Sequence, residues 1–208
     1  MFSKNRFYAK SQVLFLIIAA IMAKSVNGRQ RYPWEPTPEE LKNLPSYCVM
    51  RYTYEWGGTG GKEEKKKYGP VFGQAWGHLH HYCAGLNSMV RAERTVDGEV
   101  KRKNYVDAIH SFDYMLDHIS DKTTVILPEL YFLKGRALEG IGKLGDAAAQ
   151  YIKAITAKPD YVQAYANLAR LHMKVKQNAE ARKILKEGLK QVPNAPSLNR
   201  LLRQLGDG

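Results

Sequence analysis

The densest concentration of reactive side chains runs from Gly77 to Cys83, with the sequence Gly-His-Leu-His-His-Tyr-Cys. On a helix, His78 and His81 are three residues apart and share a face, as do His80 and Cys83. Imidazole with thiolate is the donor chemistry of zinc and copper, and Cys48 or a further histidine could complete such a shell. The stretch holds no Asp or Glu, and the H-E-x-x-H arrangement of a metalloprotease is missing. Cys83 beside a histidine could also form a nucleophilic pair, but only as a free thiolate. The competing reading packs the rings between helices beside a disulfide. It assigns no metal and keeps His78, His80 and His81 as the candidate ligands.

Which chemistry applies depends on where the chain resides. Lys4, Arg6 and Lys10 precede an uninterrupted apolar run, Val13 to Ala23, followed by Lys24-Ser-Val-Asn-Gly28. A helix needs about 20 apolar residues to cross a bilayer, so this run suits an export signal, residues 1–28, better than a retained anchor. Without it, 28 basic residues face 20 acidic ones, a net charge of +8 against +12 for the whole chain. That surplus favours acidic partners, and export argues against nucleic acid. It also implies an oxidising compartment, periplasmic or extracellular, in which the two cysteines, Cys48 and Cys83, are expected to pair. Two cysteines exclude a disulfide-dense miniprotein and a four-cysteine zinc module. With 44% hydrophobic residues, the 208-residue chain can bury a core without either.

Residues 29–70 read as an irregular segment. Thr37 to Leu44 is punctuated as a short helix, with Thr37 as N-cap, Pro38 in the first turn and Pro45 ending it. Trp56 to Tyr68, rich in glycine and lysine, reads as a solvated loop. The aromatics Tyr32, Trp34, Tyr47, Tyr52, Tyr54 and Trp56 offer anchors for a permanently docked partner. From Val71 the pattern is helical: Phe72 to Arg94 as one helix, a polar turn over Val96 to Lys103, then Tyr105 to Ile119.

Beyond residue 128 the chain repeats itself. Tyr131 and Tyr165, Gly135 and Ala169, Ala147 and Ala181, Tyr151 and Leu185, and Pro159 and Pro193 are each 34 residues apart. Small side chains let two antiparallel helices approach, rings fill the remaining gaps, and each proline ends a second helix. Gly142, Gly145 and Asp146 form the turn inside the first unit, with Asp146 as its N-cap. This pattern resembles the tetratricopeptide repeat family. Residues 128–193 then form two units, 71–127 a degenerate helix pair marked by Gly85, Ala108 and Phe112, and 194–208 a C-terminal capping helix with Arg200 and Arg203 outward. The fold class expected is all-α, a short right-handed solenoid of about three helix pairs.

The resemblance implies a non-catalytic adaptor without a cofactor, whose first helices line a concave groove. Phe132, Arg136, Asn167, Arg170 and Lys174 fall on that face by helical phase. Arg136 and Arg170, again 34 apart, should stand side by side and suit a carboxylate-bearing or acidic peptide. The partner expected is a protein of an envelope assembly, with self-association a further option for so short a stack. The alternative is a metal- or cofactor-handling protein using His78, His80, His81 and Cys83.

Overall fold

A computed structural model describes residues 34–54, 61–121 and 123–206; the export signal expected over 1–28, Tyr32 and Trp56 lie outside them. Among the described residues the chain is all-α. The helices are α1 (Pro38–Leu41), α2 (Ser46–Tyr54), α3 (Gly61–Phe72), a 3-10 turn (Gly73–His78), α4 (Leu79–Arg94), α5 (Gly98–His118), α6 (Leu127–Gly140), α7 (Leu144–Ala157), α8 (Val162–Lys174), α9 (Asn178–Gln191) and α10 (Pro196–Gln204). No helix among them is long and apolar enough to cross a membrane.

Consecutive helices pack as pairs, α4 with α5, α6 with α7, α8 with α9, and each pair closes on the same device. A Cβ on Gly135 of α6 would lie 2.7 Å from Tyr151 Cε1 of α7, and one on Gly85 of α4 would lie 2.5 Å from Phe112 Cε1 of α5. In the third pair Ala169 and Leu185 are both fully buried. Ala108, Ala147 and Ala181 are likewise fully buried on the second helices. The stack ends with α10, which sets Leu198 and Leu201 into the core against Tyr165, Ala169 and Leu185.

The first pair lacks the polar turn expected over Val96 to Lys103. Asp97 caps α5, its Oδ1 accepting from the amides of Glu99 and Val100 at 2.9 Å each. Only Thr95–Asp97 separates α4 from α5. The polar run after Val96 is therefore a solvated first helical turn, which carries charge as readily as a loop does. The helix expected from Phe72 to Arg94 is broken at Gly73, whose φ of +54° favours glycine. Asp146 lies inside the first turn of α7 and the N-cap is Lys143.

The N-terminal segment is more ordered than its composition suggests. Thr37 and Glu40 form a capping box: Thr37 Oγ1 accepts from the Glu40 amide at 3.1 Å, and Glu40 Oε2 accepts from the Thr37 amide at 2.7 Å. The same carboxylate accepts from Arg91 Nε at 2.6 Å and Nη2 at 2.8 Å, clasping α1 to α4. The Gly/Lys-rich stretch continues as α3, because Tyr68 and Phe72 join Tyr47 and Trp76 in a ring cluster with centroids 5.1–6.4 Å apart. Such burial overrides a local preference for loop. Cys48 and Cys83, both fully buried, are bonded across α2 and α4 with their Cα atoms 5.5 Å apart.

Candidate functional site

Between the first helices α6 and α8 lies a cavity of about 380 Å³. Arg136, Glu139 and Gly140 of α6 line it, with Asn167 and Lys174 of α8 and Tyr105 of α5. Tyr105 reaches the wall because Gly140 has no side chain; a Cβ there would meet Tyr105 Cε2 at 2.5 Å. Three of the five expected groove residues, Arg136, Asn167 and Lys174, line this one space. Arg170 is exposed on the same helix and donates from Nη1 to Asn167 Oδ1 at 2.8 Å. Arg136 is ion-paired with Glu93 of α4.

Phe132 does not flank the cavity. It is half-buried in the seam, with ring centroids 5.9 Å from Tyr151 and 5.2 Å from Tyr161. An aromatic on the first helix meets neighbours from both the second helix and the next unit, so burial claims it. Ala166 is buried as well. The Tyr151 hydroxyl donates to Glu139 Oε2 at 3.0 Å. Burial, and then the Glu139 charge, push the Tyr151 phenol well above its ordinary pKa, so it stays a donor. Sequence reasoning missed Tyr105, and the signal that could have found it is Gly140: a helical glycine marks where a ring from elsewhere approaches.

The histidines take a different arrangement from a metal shell. The rings of Trp34, His81, Tyr114 and His118 form a column with centroid spacings of 6.4, 3.7 and 3.9 Å. His78 leans on His118 at 5.0 Å. Cys83 is bonded to Cys48 and offers no thiolate. Among the described residues no three His, Cys, Asp or Glu side chains are grouped to hold a metal ion. Of the aromatic anchors expected for a docked partner, two pack against the chain itself: Tyr47 belongs to the ring cluster, and Tyr52, 7% exposed, donates its hydroxyl to the His80 carbonyl at 2.7 Å, while Trp34 stays 39% exposed.

His80 and Glu40 give the N-terminal segment an acid limit. Burial, then the charges of His81, Arg51 and His78, lower His80 from 6.5 to about 4. Arg51, which can only donate, leans on His80 Nδ1 at 3.4 Å and donates to the Gly77 carbonyl at 2.9 Å. Burial raises the Glu40 carboxyl, but the hydrogen bonds and charge of Arg91 and the Thr37 amide outweigh it and hold the group at about 2. Both folded-state values are depressed, so the unfolded chain binds more protons on acidification and stability falls with pH. The His80 contribution is complete above pH 6.5 and lost towards pH 4; that of Glu40 is complete above pH 4.5 and lost towards pH 2. Chemical denaturation at pH 7 and pH 4.5 is expected to differ by about 2 kcal/mol, and His80→Gln to remove most of that difference. An unchanged pH profile in the variant would remove His80 from the account.

Antiparallel helix pairs, each closed by a small residue against a ring or leucine and stacked in sequence order, define a helical-repeat protein with a cavity between first helices. The family model described as "Tetratricopeptide repeat" matches residues 141–205, and over that span the chain is similar to that family. A solved structure titled "First TPR of Spaghetti (RPAP3) bound to HSP90 peptide SRMEEVD" is similar at 22% identity and a TM-score of 0.42, covering 57% of this chain and 91% of that one. No curated protein matches the chain in sequence.

Proposed function

We propose that the protein is a non-catalytic adaptor, exported to the periplasm or the cell exterior, that holds an acidic peptide segment of an envelope protein in the cavity between α6 and α8. The cavity carries the proposal: Lys174 and Asn167 converge there with Arg136, and Arg170 stands one turn away from Lys174 on α8. Arg136 is already matched by Glu93, so the unmatched positive charge facing a ligand comes from α8. A carboxylate placed there would accept from the Asn167 amide and the Lys174 ammonium. The polar lining, with Arg136, Glu139 and Asn167 half-buried and Lys174 exposed, favours a charged, hydrogen-bonding ligand over an apolar one. Export is supported by the basic residues and short apolar run before residue 29.

A fluorescein-labelled acidic peptide with a free C-terminus, titrated and followed by anisotropy, tests the reading. Arg170→Glu with Lys174→Glu is expected to weaken binding at least about tenfold at unchanged helicity, since each reversal replaces an attraction by a repulsion. Equal affinity of wild type and variant, or of acidic and amide-substituted peptides, would overturn it.

A further inference from the structure

The positive charge of the chain is unevenly placed. Residues 29–169 hold 19 basic and 17 acidic side chains, whereas residues 170–208 hold nine basic and three acidic. Much of this excess lies on the outward side of the last two helices. Lys183, Lys186 and Lys190 are exposed at i, i+3 and i+7 on α9, opposite the buried Ala181, Leu185 and Gly188. Arg200 and Arg203 are exposed on α10, opposite the buried Leu198 and Leu201. The two faces adjoin, because Arg182 of α9 donates to the carbonyls of Leu205 and Gly206 at the end of α10.

Glu180 lies 3.6 Å from Lys183 and Glu187 lies 2.9 Å from Lys190, which partly neutralises those two lysines. Lys186, Arg200 and Arg203 have no carboxylate partner among the described residues. From Arg170 onward Val175, 42% exposed, is the single large exposed apolar side chain among the described residues. A specific protein interface needs aromatic or apolar anchors near its centre, and single-stranded nucleic acid needs rings on which bases stack. This face offers neither. Long, flexible cations spread over two helices match instead a surface whose charges are themselves mobile and spread in a plane, which is what anionic lipid headgroups present.

We propose that the outward side of α9 and α10 lies against an anionic bilayer surface. None of the residues lining the cavity between α6 and α8 belongs to α9 or α10, so contact with lipid leaves that space open. The attraction is electrostatic and therefore weakens as salt rises. Co-sedimentation of the full chain with phosphatidylglycerol-containing vesicles, and with phosphatidylcholine vesicles, tests this. Binding is expected to the anionic vesicles alone, and to fall about 100-fold in Lys186→Glu with Arg200→Glu and Arg203→Glu. All three positions are exposed, and circular dichroism checks that the variant keeps its helices. Equal binding by wild type and variant would overturn the proposal. So would absence of binding to anionic vesicles, including a case in which soluble polyglutamate or DNA binds while vesicles do not.

Discussion

Phe112→Ala is expected to destabilise the protein by about 3–5 kcal/mol, read as a lower denaturation midpoint at unchanged slope. The ring is fully buried between the two longest members of the stack, so its loss leaves a cavity in the core. It sits over Gly85, where a Cβ would fall 2.5–2.9 Å from three of its carbons. Gly85→Ala therefore sets two effects against each other. Removing a helical glycine gains about 0.5–1 kcal/mol, and forcing a methyl into the ring costs about 1–3 kcal/mol. Overpacking is the larger, so the single variant loses stability. Paired with Phe112→Leu, the alanine should cost less than it does alone, because the third helix pair already uses alanine with leucine at Ala169 and Leu185. A double-mutant cycle showing strict additivity would break the claim that these two residues are sized to each other.

Removing the disulfide is expected to be nearly as costly. Cys48 and Cys83 are 35 residues apart in sequence, and closing a loop of that length in the unfolded chain contributes about 4 kcal/mol on the chain-entropy account. Alanine is the better replacement, because a serine hydroxyl at a site with no solvent exposure would add the cost of an unmatched polar group. Cys48→Ala with Cys83→Ala should denature earlier by about 3–4 kcal/mol and no longer respond to reductant. A wild-type protein whose denaturation is the same with and without reductant would contradict the bridge.

The repeat was legible because its signal is a size rule at fixed spacing. Gly135, Ala147 and Tyr151 must be small, small and large for two rods to touch, and surface variation does not blur that. The first pair was harder to read because its helices run longer, to 16 and 21 residues in α4 and α5. A polar opening such as Asp97-Gly-Glu-Val looks the same on a loop and on a solvated first turn. Composition misled most in α3. Its opening Gly61 and the charge run from Lys62 to Lys67 speak for a loop, while the decisive contact, Tyr68 stacked on Trp76 at 6.0 Å, is tertiary. The cavity was half legible for a related reason. Helical phase identifies the side of α6 and α8 that holds Arg136, Asn167 and Lys174, but cannot say that Phe132 finds Tyr151 and Tyr161. Nor can it say that Tyr105 arrives from a second helix through the gap at Gly140.

Helical arrays ordinarily expose sticky apolar surface at their first and last rods, and so tend to lengthen or fray there. Here the leading rod is overlaid by a tether with a covalent and an ionic fastening, Cys48 to Cys83 and Glu40 to Arg91, while α10 shuts the trailing rod with Leu198 and Leu201. A molecule bookended in this way has its curvature dictated within a single polypeptide. Among the described residues, the faces that would start and finish the row are thus occupied by the polypeptide's own side chains.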